Sequence, residues 1–468
     1  MKKTNTTRAV LVIVILFVIS RIVVRYFGVQ MDIRALSSYW QYLDVETLKH
    51  NLLRGVWYDH AQPPVFNLLL GSILKLSGEY APAVFELFFK LVTLANTLLI
   101  FFILRRLTNH VYVSLFLSCL YLLSPATLIY ECELFYTIFI SLLLLISVYS
   151  LLCFQQNESW ISSGGIFIPL VAICLTRSMY HLVWLIFLSF IILFYYRKKN
   201  GFRKLFMGSA IAVLLVTSWY IKNYVIFGVF SSSSWIGMNV ARNVFHDNPI
   251  RDSSRIEAFE PFSKVSVYKP FLPENYEKPF VGLNDRDLLQ ETKNDSFINE
   301  NHIAYIEISK KYMEASKAYL KAHPFTYLQN VIQSSIIFFA PATRYPLAED
   351  QAAKIKYYDI MYSFNLSHFA KGKQQRRIAL TLSAIPKFLI YISVFYLLVS
   401  TAIKSRKMNL PNITIIITIA FVFLVSSLLE HYENMRFRYE IEPLFLLLAG
   451  QVLTIIREKR MEHKAHEA

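Results

Sequence analysis

The sequence predicts an all-α polytopic membrane protein, and two observations lead to that class. The chain has 468 residues, of which 55% are hydrophobic and only 17% are charged, whereas soluble globular proteins carry about 25% charged residues. Apolar runs of about 20 residues recur along the chain, and a helix of that length crosses the hydrocarbon core of a bilayer. These observations exclude a single large soluble core.

Ten apolar segments are predicted to cross the membrane. They are residues 9–27, 81–104, 110–130, 134–154, 160–176, 178–196, 205–225, 383–403, 410–429 and 439–456. Two shorter segments, 65–78 and 326–343, leave the total open at about 10–12 helices. We expect 65–78 to lie on the outer membrane surface, because a span there would place Arg105 and Arg106 outside. The first segment is expected to be a retained helix, since no small-residue cleavage site follows it.

The formal net charge of +16 comes mostly from short basic runs next to the apolar segments. Such runs are typical of cytoplasmic loops, so membrane topology explains the charge and a nucleic-acid partner is not expected. The four cysteines form no CxxC or Cys/His metal spacing, and we interpret them as buried thiols. The composition therefore predicts a multi-pass protein of the cell inner (plasma) membrane.

Three regions follow from the predicted topology. Residues 1–225 form an N-terminal transmembrane module, in which residues 31–62 are the first outer loop. Residues 226–325 form a polar extracytoplasmic insertion with helical stretches, and residues 326–468 form a C-terminal transmembrane module. The run Ser231–Ser234 and the following Trp235 are either a lip of the insertion or part of an acceptor site.

The topology gathers ionisable residues from four separate segments on the outer side of the membrane. Ionisable groups at membrane depth or edge are costly and tend to mark function, so we expect a shared site there. Arginine binds the phosphate of a lipid-linked substrate, and a carboxylate removes the proton of an acceptor hydroxyl. The candidates are Asp32, Asp44, Asp59 and His60; Glu131 and Glu133; Arg177 and His181; and His431, Glu433, Arg436 and Arg438.

The stretch VWYDHAQPPVFN, residues 56–67, is polar and rich in helix-breaking residues between two apolar segments. Proline suits the first turn of a helix and disfavours helix in the residue before it. Pro63 and Pro64 therefore predict a turn that ends the first loop and begins a helix. His60 and Gln62 are candidate site-lining residues, and a helix cap is the alternative role of His60.

Taken together, these segments resemble the GT-C superfamily of membrane glycosyltransferases. The similarity is to the branch of protein O-mannosyltransferases and lipid A aminoarabinose transferases, and within it to a bacterial subgroup. It depends on Asp32 in QMDIRALSSYWQYLD, the proline motif in HAQPPVFNLLLG, the acids of YECELFYT, and RFRYEIEP at the last span. It covers roughly residues 1–225 and 320–460. No second acid follows Asp32, and the mannosyltransferase repeat domain is absent, so the chain departs from a true protein O-mannosyltransferase.

The resemblance implies a GT-C fold and an inverting transfer of a sugar on the outer face. The donor would be a polyprenyl-phosphate sugar, its chain lying among membrane lipid and helices, and the acceptor would belong to the cell envelope. Asp32 would be the catalytic base, with Asp44 as the alternative, and Glu131 would orient sugar or acceptor, with Glu133 as the alternative. The candidates for the lipid phosphate are Arg177, His181, Arg436 and Arg438. Some members hold a divalent metal near the acids, although nothing in this sequence requires one.

A lipid-linked-sugar flippase or a secondary transporter is the main alternative to an enzyme. Transporters usually have two related halves with glycine- or proline-interrupted helices at the midplane. This chain has only 13 glycines and no visible repeat, and its acids and bases gather on one surface. These features favour an enzyme. A non-catalytic membrane scaffold is a third class, and it would not need Asp32.

Overall fold

The computed structural model describes residues 2–245, 286–290, 292–294, 297–345, 348–405 and 409–467. Within these ranges the chain forms helices and no strand. Isolated β-bridges join Asp32 to Glu133 and Thr292 to Ile298. The all-α class is therefore confirmed for the described part of the chain.

The described helices are numbered in chain order. Those before the insertion are α1 (Lys2–Tyr26), α2 (Ala35–Ser38), α3 (Val45–His50), α4 (Leu52–Tyr58), α5 (Pro64–Ser77), α6 (Ala81–Thr108), α7 (Val111–Leu123), α8 (Pro125–Tyr130), α9 (Thr137–Asn157), α10 (Trp160–Cys174), α11 (Leu182–Tyr196) and α12 (Phe202–Phe227). The others are α13 (Ile236–Phe245), α14 (Arg286–Leu289), α15 (Ala304–Ala322), α16 (Pro324–Phe339), α17 (Glu349–Lys354), α18 (Lys356–Ser363), α19 (Lys373–Ser405), α20 (Leu410–Leu429) and α21 (Asn434–Glu467).

Seven stretches of the described helices are long and apolar enough to cross a membrane. They are Asn5–Tyr26, Pro64–Thr108, Thr137–Asn157, Phe202–Phe227, Gln374–Thr401, Leu410–Leu429 and Asn434–Glu458. Three predicted spans are shorter than this, because α7 has 13 residues and α10 and α11 have 15 each. At about 1.5 Å per residue these helices measure about 20–22 Å, against a hydrocarbon core of about 30 Å. Seven of the ten predicted spans are therefore candidate spans in the described structure, and these three helices are shorter than a full span.

The predicted span 110–130 is interrupted at Ser124, which separates α7 from α8. Pro125 is the first residue of α8, and Ser124 has a ψ of 132°. Proline lacks the N–H that a continuous helix needs, and it disfavours helix in the residue before it. Apolar residues continue on both sides of this break. The composition of residues 110–130 therefore predicted one helix where the structure has two.

The two segments that the sequence left open have different structures. Residues 65–78 form most of α5, which passes through a 3₁₀ turn at Gly78–Tyr80 into α6. Gly78 has a φ of +53°, a conformation that favours glycine. Residues 326–343 mostly belong to α16, a helix of 16 residues that is not among the seven candidate spans.

The described part of the insertion packs on the first loop through α13 and α15. Gly237 allows a close approach of the two helices, because a Cβ there would lie 1.8 Å from the carbonyl oxygen of Ser309. Ala61 of the proline motif joins the apolar cluster between them: Trp235, Met238, Ala241, Ala304, Tyr305, Ile308 and Tyr312. The rest of the predicted insertion, chiefly residues 246–285, lies outside the described residues.

The first loop lies at the end of the helix bundle where α1 ends, which we call the first-loop end. Asp59 closes the turn before α5, since its carboxylate accepts hydrogen bonds from the N–H of Gln62 and from Nδ2 of Asn67, each at 2.9 Å. Lys222 Nζ donates to two backbone carbonyls of this turn, one of them that of Asp59, at 3.0 Å each. Pro64 begins α5, as predicted. The turn thereby holds Gln62 in a defined place.

Candidate active site

A cavity of about 1120 Å³, partly open to solvent, lies at the first-loop end beside α11, α13, α20 and the start of α21. We call it the arginine cavity. Its polar lining includes Gln41, Gln62, Arg177, His181, Ser231, Ser233, Asn239, Arg242, Glu430, Glu433 and Arg436. Its apolar lining includes Trp40, Tyr136, Val183, Trp235, Phe421, Val425, Leu429 and Phe437. The cavity therefore combines ionic groups with a large hydrocarbon surface.

Arg436 is a buried guanidinium in the wall of this cavity, with 1% of the residue exposed. It lies in the first turn of α21, and its Nη2 pairs with the carboxylate of Glu433. The guanidinium carbon lies 4.3 Å from the ring centre of Phe135 and 5.1 Å from that of Tyr345. Neither Nε nor Nη1 has a hydrogen-bond partner within the described residues. Since buried polar groups are nearly always hydrogen-bonded, these two donors point to an anionic ligand.

Arg177 lies in the turn between α10 and α11 and forms an ion pair with the fully buried Glu440. The hydroxyl of Tyr180 donates to the same carboxylate at 3.4 Å. The Arg177 guanidinium also stacks over the ring of Phe437, 3.8 Å from its centre. These contacts fix the orientation of Arg177, and its charge is already balanced by a carboxylate of its own.

Arg242 of α13 connects the insertion to the turn between α20 and α21. It pairs with Glu430 at 3.0 Å and with Glu433 at 3.5 Å. Burial raises the pKa of Glu430 to about 7, against the opposing effect of Arg242. Burial also acts to raise the pKa of Glu433. The positive charges of Arg436 and Arg242 outweigh burial there, so the pKa of Glu433 is lowered. Glu430 therefore titrates near neutral pH, which suits a general base.

Two tryptophans form an aromatic wall of the cavity. Trp40 of the first loop stacks on Trp235 of the insertion with ring centres 4.8 Å apart and planes 11° apart. Ser233, two residues before Trp235, donates its hydroxyl hydrogen bond to the carbonyl of Ala61 at 2.6 Å. The serine run therefore contributes Ser231 and Ser233 to the cavity wall.

Five of the thirteen candidates named from sequence line the arginine cavity: Gln62, Arg177, His181, Glu433 and Arg436. His181 accepts a hydrogen bond from the N–H of Val183 at 3.3 Å, and burial lowers its pKa. Sequence reasoning missed Arg242 and Glu430. Arg242 belongs to the insertion, where no motif marks it. Glu430 begins the segment EHYENMRFRYE, in which the candidates from sequence are His431, Glu433, Arg436 and Arg438 but neither Glu430 nor Glu440.

Asp32 lies in a different place, which we call the Asp32 corner and define by Asp32, Arg34 and Glu133. Arg34 Nε donates to both carboxylate oxygens of Asp32 at 3.0 Å, and this bonding lowers the pKa of Asp32. The N–H of Asp32 donates to the carbonyl of Cys132 at 3.0 Å, which brings Asp32 beside Glu133. Burial and then the Asp32 charge raise the pKa of Glu133 to about 8. Asp32 is not among the residues that line the arginine cavity.

The resemblance implies that Glu131 orients the sugar or the acceptor. In the structure Glu131 is completely buried in an ion pair with Arg21 of α1. Its oxygens accept hydrogen bonds from Nε and Nη2 of Arg21 at 2.9 and 2.6 Å. The acid beside Asp32 is therefore Glu133, the alternative from the sequence. Within the described ranges no group of three His, Cys, Asp or Glu side chains is arranged to hold a metal ion.

Three other predicted site residues make contacts outside the arginine cavity. Asp44 caps α3, because its Oδ1 accepts a hydrogen bond from the N–H of Glu46 at 2.8 Å. His60 is buried and its Nδ1 lies 2.8 Å from Oγ of Ser234, so it joins the proline motif to the insertion and does not cap α5. Arg438 pairs with Glu442 and lines a second cavity.

Comparisons with known proteins find no relative of this chain. No family model matches it, and neither a curated protein nor a solved structure does so. The resemblance to GT-C enzymes therefore stays a prediction from sequence motifs, and the site is interpreted from its own geometry.

Proposed function

We propose that the protein transfers a sugar from a polyprenyl-phosphate donor to a cell-envelope acceptor, on the extracytoplasmic face of the plasma membrane. The observation that carries the proposal is Arg436, a buried cation with two donors that have no partner within the described residues. A phosphate offers several acceptor oxygens to those donors, and arginine binds phosphate strongly. The head group of the donor would therefore occupy the arginine cavity.

The apolar lining of the cavity supports a lipid-linked substrate in particular. Phe421, Val425 and Leu429 follow one another along the last turns of α20, a candidate span, and all three line the cavity. An apolar strip that leads from a cation along a membrane helix suits a ligand with a charged head and a hydrocarbon chain. The Trp40–Trp235 wall and Gln62 provide flat and polar surfaces for a sugar ring.

The proposed reaction is a substitution at the anomeric carbon of the sugar. The oxygen of the acceptor hydroxyl forms a bond to this carbon, and the bond from the carbon to the phosphate oxygen breaks. Polyprenyl phosphate leaves with the bonding electrons, and Arg436 stabilises its growing negative charge. The hydroxyl proton passes to a carboxylate, which we assign to Glu430. Asp32, the base implied by the resemblance, is the alternative assignment.

Mass spectrometry of lipid-linked sugars and surface glycans tests this function in cells with and without the protein. Loss of the protein should remove one sugar from a surface glycan or lipid and should cause polyprenyl-phosphate sugar to accumulate. Cells that produce the Arg436→Gln variant should show the same two changes. If the lipid-linked sugar accumulates only on the cytoplasmic face, the protein is a flippase and the proposal fails.

A further inference from the structure

A second cavity, of about 1800 Å³, lies between α7, α19 and α21, and we call it the α19 groove. Arg438 lines this groove, whereas Arg436 lines the arginine cavity. Residues two apart on a helix point about 200° apart, so the two cavities lie on different faces of α21. The groove walls are mostly aliphatic and include Leu117, Leu120, Val394, Leu446 and Leu453.

The α19 groove is long and has exposed apolar rims. Its lining follows α21 from Arg438 to Ile456, about 27 Å at 1.5 Å per residue, which approaches the hydrocarbon thickness of about 30 Å. Phe116, Leu389 and Ile456 of its lining are 57%, 56% and 47% exposed. These dimensions suit a lipid chain that enters sideways from the bilayer.

An ionic cluster of Lys387, Arg438 and Glu442 interrupts the aliphatic lining of the groove. The carboxylate of Glu442 accepts hydrogen bonds from Lys387 Nζ at 2.8 Å and from the Tyr391 hydroxyl at 3.1 Å, and it pairs with Arg438. Two cations against one carboxylate leave a net charge of +1. Charged side chains within apolar spans are costly and tend to mark binding sites.

Lys387 is the member of this cluster that can reach a ligand. Arg438 directs its other donors to two backbone carbonyls at 2.8 and 3.2 Å. The Lys387 side chain is 35% exposed, and its ammonium has three donors, of which Glu442 receives one. A lysine also keeps its aliphatic stem in hydrocarbon while its ammonium reaches towards head groups.

We propose that the α19 groove binds one anionic phospholipid, whose phosphodiester contacts Lys387 and whose acyl chain lies between α19 and α21. The net charge of the cluster matches one phosphodiester, which carries a single negative charge. A phosphate monoester such as polyprenyl phosphate carries about −1.5 to −2, which one spare cation does not balance. Basic pockets between membrane helices are known to bind anionic head groups. The proposal does not depend on sugar transfer.

Native mass spectrometry of the full chain, purified in mild detergent and titrated with phosphatidylglycerol or phosphatidylcholine, tests this site. Phosphatidylglycerol should bind with one-to-one stoichiometry and more tightly than phosphatidylcholine. Lys387→Gln should weaken phosphatidylglycerol binding about tenfold, through the loss of one charge-assisted hydrogen bond. The matched control is Lys90→Gln, because Lys90 of α6 also pairs with a glutamate, Glu86, at 2.5 Å and does not line the groove.

A second variant keeps the test decisive if Lys387→Gln does not fold. Ala449 lines the α19 groove, and Ala449→Trp should fill it and exclude the lipid without any change in charge. Binding in Lys90→Gln should equal that of the wild type. The proposal is overturned if both groove variants bind phosphatidylglycerol normally, if phosphatidylcholine binds equally well, or if polyprenyl phosphate is the lipid retained.

Discussion

The arginine cavity and the Asp32 corner both combine carboxylates with an arginine, but they differ in burial and in hydrogen bonding. In the cavity Arg436 is 1% exposed and two of its nitrogens have no partner within the described residues. In the corner the Arg34 side chain is 84% exposed and is bound to Asp32. An acid–arginine pair is therefore not itself the mark of a site. Unsatisfied donors in an enclosed wall are a stronger indication of a ligand.

The comparison also bears on the part of the Asp32 corner in the proposed reaction. An exposed ion pair contributes about 0–1 kcal/mol, so Asp32 can leave Arg34 at little cost when a substrate binds. The buried groups of the cavity are held in place before any substrate arrives. Substitutions in the two regions are therefore expected to have different effects on sugar transfer.

The largest effect is expected for Arg436→Gln. The leaving phosphate loses its main cation, so sugar transfer should fall about 10²–10³-fold, as when one donor to a developing anion is removed. The measurement is transfer by the purified protein in proteoliposomes, with the lipid extract of cells that lack the protein as the donor. Arg34→Gln in the corner should leave the rate within about twofold, since an exposed ion pair contributes little.

A control separates this catalytic role of Arg436 from a structural one. Arg436→Gln leaves Glu433 with Arg242 as its remaining cationic partner, so the single variant could lose stability. Arg436→Gln combined with Glu433→Gln removes both members of that pair and should fold while it stays inactive. If the double variant transfers sugar at the wild-type rate, Arg436 only holds the fold together.

The pH profile of transfer distinguishes the base of the cavity from that of the corner. Glu430 has a pKa of about 7, so its basic form grows about tenfold between pH 6 and pH 8 and transfer should rise with it. Glu430→Gln should remove this rise and reduce transfer about 10–100-fold. Asp32, whose pKa is lowered by Arg34, stays ionised over this range and as the base would give a flat profile. If the wild-type profile is flat and Asp32→Asn abolishes transfer, the base is Asp32 and not Glu430.

The sequence predicted the parts of this protein that depend on local pattern. The all-α class follows from apolar runs, and the start of α5 follows from Pro63 and Pro64. These features need no knowledge of how the helices pack.

The parts that the sequence did not predict depend on contacts between distant segments. Glu131 meets Arg21, which is 110 positions away in the chain, and Arg242 of the insertion meets Glu430 of the last loop. Which acid meets which cation is decided by helix packing, and charge spacing along the chain holds no information about it. Span length depends on similar detail, because apolar residues continue through the break at Ser124, and a turn between α10 and α11 takes residues 175–181, most of which the prediction gave to helix.

The smallest effect on transfer is expected for Glu131→Gln. Glu131 is close to Glu133 of the Asp32 corner in sequence, but in the structure it belongs neither to that corner nor to the arginine cavity. Removing one partner of a buried ion pair leaves the other charge uncompensated and costs about 3–5 kcal/mol. The variant should therefore unfold at a lower temperature in detergent, while transfer per folded molecule stays at the wild-type level. Arg21→Met combined with Glu131→Leu should regain the stability, because a well-packed apolar pair replaces a buried ion pair at little cost. A stable Glu131→Gln protein that has lost transfer would instead restore the orienting role that the sequence motif implied for Glu131.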